Sequence, residues 1–137
     1  MKTENRLSTE TVFQGKILTV RVDAVSLPNG VKVVREVVEH RPAVAIVPFD
    51  GSGGVLLVSQ FRYPVGEELL EVPAGIIEES ETPEHCAGRE LQEEIGYRAR
   101  EMRSLGSFWT TPGFCDELMY VYLASDLTPS ALDPDPD

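Results

Sequence analysis

A dense group of glutamates is the feature of this sequence that is best suited to chemistry. Of the 23 acidic residues, eight fall within one short segment: Glu71, Glu78, Glu79, Glu81, Glu84, Glu90, Glu93 and Glu94. Carboxylates packed this closely repel one another unless cations lie among them or the side chains extend into water. Hard divalent cations such as Mg²⁺ take oxygen ligands, commonly one or two carboxylates with water and phosphate oxygens. The cluster therefore indicates a cation site, and the alternative is a solvated, salt-bridged helix face.

A helix over Pro83 to Ile95 is the element that must position three of these glutamates. Thr82 is a suitable N-cap, Pro83 suits the first helical position, and Gly96 is a stop signal. Each helical residue advances about 100°, so the glutamates at 90, 93 and 94 share one side. An apolar stripe lies beside them, formed by Ala87, Leu91 and Ile95.

The spacing around this helix resembles the Nudix box, whose pattern is G-x5-E-x7-R-E-U-x-E-E-x-G-U with U a bulky apolar residue. Gly75 is followed after five residues by Glu81, and after seven more by the run Arg89 to Tyr97. Every fixed position matches, with an aromatic residue at Tyr97 where an aliphatic one is commoner. The sequence is therefore identified as resembling the Nudix hydrolases, a family of pyrophosphohydrolases.

The resemblance implies a metal site with Glu90 and Glu94 as the principal ligands and the carbonyl of Ala74 completing it. The expected cofactor is Mg²⁺, with Mn²⁺ as the alternative. A diphosphate repels a hydroxide nucleophile, and an acidic pocket repels the diphosphate further, so such a site functions only once cations reverse its sign.

The resemblance also implies catalytic roles for Glu81, Arg89 and Glu93. Glu81 is expected to bind metal through water or to act on the nucleophile, and Glu93 to assist the ligands. Arg89, the single basic residue inside the segment, is expected to orient the glutamates by pairing with one of them.

Segments that flank the box resemble the ADP-ribose pyrophosphatases within this family. The stretch Gln60 to Gly66 and the stretch Leu70 to Gly75 are similar to those that lead into the box in that subfamily. Pro112 lies sixteen residues after Gly96, where the subfamily carries a marker proline. The likeness spans roughly residues 12 to 125.

This closer resemblance implies further site residues. Arg62 is expected to contact the diphosphate or the terminal ribose, as suits a fork-shaped cation, with a sheet-edge salt bridge as the alternative. Glu36 is expected to help hold the adenine or ribose together with Pro112, although Arg35 could equally do so. Glu117 is a candidate for activating water, with a surface acid in a turn as the alternative.

The remaining elements are predicted to be strands. Alternating β-branched residues between Thr11 and His40, interrupted by Asn29-Gly30, predict a hairpin. Two apolar runs, Ala43 to Phe49 and Val55 to Phe61, predict a second strand pair. Further strands are predicted at Leu69 to Val72, ending at Pro73-Ala74-Gly75, at Met102 to Trp109 and at Leu118 to Ala124, with a loop or tail from Leu127 onward.

These elements predict an α+β fold, and the resemblance makes it a Nudix-like α/β/α sandwich with a mixed sheet, a catalytic loop-helix-loop and an N-terminal antiparallel sheet. Residues 1–41 are expected to form an N-terminal β region that serves as a dimerisation arm, and residues 42–137 the catalytic domain. Relatives continue into another strand and a terminal helix, so we expect either a fragment or a member without that helix.

Composition excludes several classes of partner. A net charge of -11 argues against nucleic acid or anionic membrane surfaces, which require a basic footprint. The sequence contains no apolar stretch of about 18 residues, so no membrane span is predicted. The polar start of the chain predicts a cytoplasmic protein. Cys86 and Cys115 have neither metal-ligand spacing nor a disulfide pattern.

The predicted function is metal-dependent hydrolysis of ADP-ribose to AMP and ribose 5-phosphate, by a homodimer formed through the N-terminal sheet. One alternative is hydrolysis of another nucleoside diphosphate derivative, such as a nucleotide sugar or a dinucleoside polyphosphate. The other is a non-catalytic nucleotide-binding module, which the presence of Glu90, Glu93 and Glu94 disfavours.

Overall fold

A three-stranded antiparallel sheet occupies the N-terminal part of the computed structural model, which describes residues 3–130. Its strands are β1 (Asn5–Gln14), β2 (Leu18–Ser26) and β3 (Lys32–His40), in the order β1-β2-β3. The predicted hairpin joins β2 to β3, with Ser26 paired to Lys32. Gly30 adopts a positive φ of 82°, which closes the turn. The predicted N-terminal antiparallel sheet is therefore confirmed, although β1 begins earlier than the apolar alternation indicated, because an edge strand can be polar on both faces.

The second sheet has four strands in the order β7-β4-β9-β8. These are β4 (Ala43–Pro48), β7 (Ala74–Ile76), β8 (Tyr97–Trp109) and β9 (Leu118–Pro129). The central strand β4 pairs antiparallel with β7 and parallel with β9, so the sheet is mixed, as predicted. Its continuous apolar sequence fits a strand with neighbours on both edges.

The predicted pairing between Ala43–Phe49 and Val55–Phe61 is wrong. A single bridge joins Phe49 to Val55, and β5 (Val58–Arg62) pairs instead with β6 (Glu67–Glu71) in a separate two-stranded sheet. Both edges of β4 are already occupied by β7 and β9. Beyond the bridge, β7 and the carbonyl of Pro73 occupy the edge of β4 that a hairpin partner would need.

Two predicted strand ends also differ from the structure. The segment Pro73-Ala74-Gly75 was predicted to end a strand. The pairing of β6 with β5 does stop at Glu71, but Ala74 to Ile76 then pair with β4 as β7. The expected loop from Leu127 begins later, since β9 continues to Pro129 beside the 13-residue β8. The predictions for residues 131–137, and for a strand and helix beyond them, lie outside the described residues.

The predicted helix is confirmed as α1 (Pro83–Ile95). The Thr82 side chain accepts a hydrogen bond from the His85 amide at 3.2 Å, and Gly96 ends the helix with a left-handed φ of 71°. The buried core joins one side of α1 to the mixed sheet through Val44, Ile46, Ile77, Cys86, Ala87, Leu91, Tyr122 and Ala124. Among residues 3–130, α1 is the one helix, consistent with the predicted fold class.

The described chain divides into two compact units. One contains residues 3–41 with Trp109–Leu118, and the other contains Pro42–Phe108 with residues 119–130. The first holds the three-stranded sheet, and the second holds α1, the mixed sheet and the β5–β6 hairpin. The described part of the chain has no helix with the length and apolar character that crossing a membrane requires.

Candidate functional site

Arg89 is the centre of a network of carboxylates on α1 and the loop before it. Its Nε and Nη2 donate to the two oxygens of Glu81 at 3.0 and 3.1 Å. Its Nη1 donates to Glu90 at 2.7 Å and to Glu93 at 2.8 Å. The resemblance implied a pairing with one glutamate, whereas the structure gives Arg89 three carboxylate partners.

Arg89 affects the charge state of its partners unequally. Its hydrogen bonds lower the pKa of Glu81 to about 2, with help from the Glu78 amide and His85. Burial dominates at Glu90 and raises its pKa to about 7, although Arg89 opposes the shift. The carboxylates in turn raise the pKa of Arg89 above its usual range. Glu81 and Arg89 are therefore charged at neutral pH, whereas burial makes the charged form of Glu90 less favourable than that of an ordinary glutamate.

The absence of a side chain at Gly75 allows the Glu90 carboxylate to pack against the Gly75 backbone. A Cβ added at Gly75 would lie 1.9 Å from Glu90 Oε1 and 2.0 Å from its Cδ. Real Cβ atoms do not approach other heavy atoms so closely, so the carboxylate occupies space that only a glycine leaves open. This explains how Glu90 can be 9% exposed while its backbone lies on a short helix.

Glu94 is held by a different set of donors. The amide N–H of Ala74 donates to its Oε2 at 2.9 Å, and Gln60 Nε2 donates to its Oε1 at 2.9 Å. Burial raises the pKa of Glu94, while these two hydrogen bonds act in the opposite direction. The sequence analysis did not identify Gln60 as a partner of Glu94, because the two residues lie 34 positions apart and in different elements.

Arg62 forms a bidentate ion pair with Glu71 across the β5–β6 hairpin. Its Nε and Nη2 donate to the two oxygens of Glu71 at 2.9 and 2.5 Å. The pair raises the pKa of Arg62 and lowers that of Glu71. Both side chains remain partly exposed to solvent.

A small set of polar residues surrounds Glu117 in the unit with the three-stranded sheet. Thr110 Oγ1 donates to Glu117 Oε2 at 2.7 Å, and His40 Nδ1 lies 3.4 Å from Oε1. The same His40 nitrogen is 2.6 Å from the carbonyl of Arg41, so this nitrogen carries a proton, because it faces two acceptors. Asp116 accepts from the His40 amide at 2.8 Å, which fixes the loop.

Glu36 and Pro112 line one cavity in that unit. The cavity has a volume of about 280 Å³ and is lined by Arg35, Glu36, Val37 and the loop from Pro112 to Asp116. Arg35, the alternative to Glu36, also lines it, but its guanidinium is paired with Glu4 at 2.8 and 3.1 Å. Glu36 is therefore the freer of the two to meet a ligand.

The donor chemistry of the α1 cluster fits a divalent cation. Glu81, Glu90, Glu93 and Glu94 supply only oxygen, as Mg²⁺ requires, and the single charge of Arg89 cannot balance the three carboxylates that it contacts. Within residues 3–130, however, no three acidic, imidazole or thiol side chains converge as they stand on one metal position. Glu90 and Glu93 both accept hydrogen bonds from Nη1 of Arg89.

Comparison with known proteins places most of the chain in one family. Residues 39–137 match the family model described as NUDIX domain, and residues 4–38 match the model described as nucleoside diphosphate sugar hydrolase N-terminal domain. The ADP-ribose pyrophosphatase of Bacillus subtilis (strain 168) is 42% identical over 125 residues, which is 91% of this chain and 68% of that protein.

Two further proteins support the same grouping. The ADP-ribose pyrophosphatase of Mycobacterium tuberculosis (strain ATCC 25618 / H37Rv) is 45% identical over 122 residues, covering 88% of this chain and 59% of that protein. A crystal structure of an ADP compounds hydrolase superposes with a TM-score of 0.90 at 29% identity, covering 98% of this chain and 73% of that one.

Proposed function

Because the chain belongs to the Nudix hydrolase family, we propose that it hydrolyses the diphosphate bond of ADP-ribose to AMP and ribose 5-phosphate. Nudix hydrolases act on nucleoside diphosphate derivatives and generally need a divalent metal. The observation that carries the proposal is the network in which Glu81, Glu90 and Glu93 surround Arg89. The choice of ADP-ribose rests on the two pyrophosphatases that share 42% and 45% identity with this chain.

The proposed cation is Mg²⁺, with Mn²⁺ as a substitute, held by Glu90, Glu94 and the carbonyl of Ala74. When bound, a divalent cation supplies the positive charge that attracts a diphosphate and lowers the pKa of coordinated water. Glu90 and Glu94 are suited to this role because Glu90 is buried and Glu94 half-buried. Glu90 shares Arg89 with two other glutamates, and Glu94 accepts hydrogen bonds from two neutral donors. Gly75 leaves the space in which Glu90 can approach the Ala74–Gly75 backbone.

Arg89, Glu81 and Glu93 have the proposed role of setting up these ligands. Arg89 stays protonated at every accessible pH, so its charge is permanent and its geometry fixed. It donates hydrogen bonds to Glu81 and Glu93 as well as to Glu90. Their carboxylates are thereby available to orient water without drifting into solvent.

Arg62 is proposed to bind the diphosphate or terminal ribose. Its guanidinium already makes a fork-shaped contact with a carboxylate, Glu71, and phosphate oxygens present the same geometry. A ligand phosphate would compete with Glu71 for the same two donors. The ion pair therefore keeps Arg62 oriented until substrate arrives.

Glu36, Pro112 and Glu117 are proposed site residues in the unit with the three-stranded sheet. Glu36 and Pro112 line the cavity of about 280 Å³, near the lower end of ligand-pocket volumes, about 300 Å³, and we assign it to the adenine or ribose. Glu117 is proposed to accept a proton from water, with Thr110 holding one of its oxygens.

The three-stranded sheet is proposed to be the dimerisation arm, residues 1–41, of a homodimer. The sheet and the turns between its strands expose apolar side chains with more than half of their surface accessible: Val12, Phe13, Ile17, Val31 and Val34. Apolar surface of this extent on one small sheet favours a protein interface. The sedimentation mass of the parent and of Val34→Glu would test this, with a monomeric variant expected. A cytoplasmic location remains a prediction from the sequence.

The decisive experiment measures AMP release from ADP-ribose beside a panel of nucleotide sugars and dinucleoside polyphosphates, with Mg²⁺, with Mn²⁺ and with EDTA. We expect ADP-ribose to give the highest kcat/KM and EDTA to abolish turnover. A higher kcat/KM for another compound of the panel would identify that compound, rather than ADP-ribose, as the preferred substrate. Absence of any hydrolysis would favour the non-catalytic module.

Glu94→Gln tests whether the helix face carries the chemistry. The variant keeps the size of the side chain but removes its charge, and we expect turnover to fall by at least about 100-fold, as for a lost metal ligand or its support. Glu101→Gln, an exposed position on β8, is the matched control and should behave as the parent. If Glu94→Gln turned over substrate at nearly the parent rate, the glutamates of α1 would be a charged surface without a catalytic role.

A further inference from the structure

Glu94 differs from the other glutamates of α1 in what holds it. Arg89 donates to Glu81, Glu90 and Glu93. Glu94 instead receives one hydrogen bond on each oxygen, from the Gln60 side chain and from the Ala74 amide, both at 2.9 Å. Both donors are neutral, so they orient the carboxylate without neutralising it.

Two neutral hydrogen bonds leave Glu94 able to bind a cation. An ionised carboxylate has about four lone-pair positions, and two of them are occupied here. Because each oxygen has one donor, the carboxylate plane cannot rotate without breaking a bond. Glu94 is therefore held in one orientation while retaining both its charge and free lone pairs.

Gln60 lies on a strand that contributes little to the buried core. Val58 and Gln60 are half-buried on β5, whereas Ser59 and Phe61 between and beside them are exposed. The buried core cluster includes no residue of the β5–β6 hairpin, Val58 to Glu71. Among residues 3–130, the side-chain hydrogen bond that joins this hairpin to α1 is the one between Gln60 and Glu94.

We propose that Gln60 is a positioning residue for cation binding, whose side-chain amide orients the Glu94 carboxylate and thereby sets the affinity of the site for a divalent cation. The inference rests on the proposed function, because it takes Glu94 as a metal ligand. Second-layer hydrogen bonds to metal ligands typically alter metal affinity by about 10–100-fold when removed. The same strand carries Arg62 two residues later, so one element aligns the cation ligand and a proposed phosphate contact.

The test titrates Mn²⁺ into metal-free parent and Gln60→Leu protein, with free Mn²⁺ measured by electron paramagnetic resonance. Leucine is close to glutamine in size and lacks the donor. We expect Kd for Mn²⁺ to rise about 10-fold or more, with the unfolding temperature in EDTA lowered by no more than about 5 °C, as for the loss of one hydrogen bond. Ser59→Ala, on the exposed face of the same strand, is the matched control and should stay within twofold of the parent.

A double-mutant cycle separates positioning from general damage. If Gln60 acts through Glu94, then adding Gln60→Leu to Glu94→Gln should change Mn²⁺ affinity by less than twofold, because the interaction is already gone. Equal effects in both backgrounds would overturn the proposal. Should Gln60→Leu fail to fold, Gln60→Asn, whose amide is too short to reach Glu94, takes its place with the same expectation.

The outcomes distinguish this inference from the proposed function. Mn²⁺ affinity of Gln60→Leu within twofold of a metal-binding, hydrolytic parent would overturn the inference alone. A parent that binds Mn²⁺ but does not hydrolyse ADP-ribose would contradict the proposed substrate. The comparison of Mn²⁺ affinities would still decide the role of Gln60. A parent that binds no Mn²⁺ would overturn both.

Discussion

The carboxylate of Glu90 lies against the backbone of Gly75, with only 1.9 Å between its Oε1 and the position that a Cβ at residue 75 would occupy. Glycine is therefore required at this position for space, since its φ lies outside the left-handed region. The contact allows a glutamate that is 9% exposed to remain beside the strand that carries Ala74. It links the first residue of the sequence motif to one of its principal proposed ligands.

Gly75→Ala should therefore displace Glu90 and disable the site while the fold survives. The added methyl group meets the flexible end of a side chain, so we expect a stability loss of about 1–3 kcal/mol, as for overpacking, and a loss of Mn²⁺ binding. Urea unfolding and Mn²⁺ titration would measure the two effects.

Gly88→Ala is the matched control for this substitution. Gly88 lies inside α1, and a Cβ there meets nothing within 4 Å. Alanine in a helix interior is more favourable than glycine by about 1 kcal/mol, so this variant should be as stable as the parent or more stable. Gly75→Ala with parent Mn²⁺ affinity would contradict the packing argument.

Arg89→Ala should destabilise the metal-free protein. The substitution leaves Glu81, Glu90 and Glu93 without their shared cation, and removing one partner of a buried ion pair costs about 3–5 kcal/mol. Arg89→Lys should recover only part of this, because a single ammonium group cannot reproduce the fork that reaches three carboxylates. Urea unfolding in EDTA is the measurement.

Arg98→Ala provides the comparison for Arg89→Ala. Arg98 makes a single long hydrogen bond to Gln92 at 3.4 Å, so its removal should change the free energy of unfolding by less than about 0.5 kcal/mol. If the two arginine variants lost equal stability, the carboxylate network would not be what Arg89 contributes.

Cys86 should not react with thiol reagents in the folded protein. Its side chain is fully buried, and burial, reinforced by Glu81, raises the pKa of the thiol to about 12 from 9.0. The thiolate is the reactive form, so at pH 8 one thiol, Cys115, should react with a disulfide reagent and Cys86 only after unfolding. Cys115→Ser should abolish the fast phase, and a remaining fast phase would contradict the assignment.

The raised thiol pKa also predicts the sign of an alkaline effect. The folded protein holds the thiol proton more tightly than the unfolded chain does. The stability from this group is therefore fully present below about pH 9 and is lost as pH rises toward about 12. Cys86→Ala should lack this contribution, which a comparison of unfolding free energies at pH 8 and pH 10.5 would reveal.

Thr110→Val should lower kcat if Glu117 acts on water. The hydroxyl of Thr110 donates to Glu117 Oε2 at 2.7 Å, and valine removes it at nearly constant volume. We expect kcat to fall about 10-fold, less than the roughly 100- to 10,000-fold that a general base itself supplies, because Thr110 only supports Glu117. KM should be nearly unchanged. Thr110→Ser should restore most of the activity because it restores the donor.

Thr111→Val is the control, since the adjacent side chain is exposed and the role of this residue in the loop is carried by its carbonyl, which accepts from Phe114 and Cys115. Equal losses in both valine variants would indicate a general loop defect. A kcat for Thr110→Val equal to that of the parent would remove Glu117 or its hydrogen bond from the mechanism.

The sequence by itself determined the helix and the kind of chemistry it supports. Thr82, Pro83 and Gly96 act on the backbone within a few residues of themselves, so the ends of α1 could be predicted to the residue. The periodicity of Glu90 and Glu94 likewise depends only on helix geometry. Family membership followed from the same segment, because its spacing is local.

The tertiary structure alone decided which groups meet these glutamates. Gln60 reaches Glu94 across 34 residues, and β5 pairs with β6 rather than β4 because β7 and β9 occupy both edges of β4. The burial that raises the pKa of Glu90 depends on packing against Gly75. Such contacts depend on how distant segments share space and on which sheet edges remain open, and local propensity contains neither.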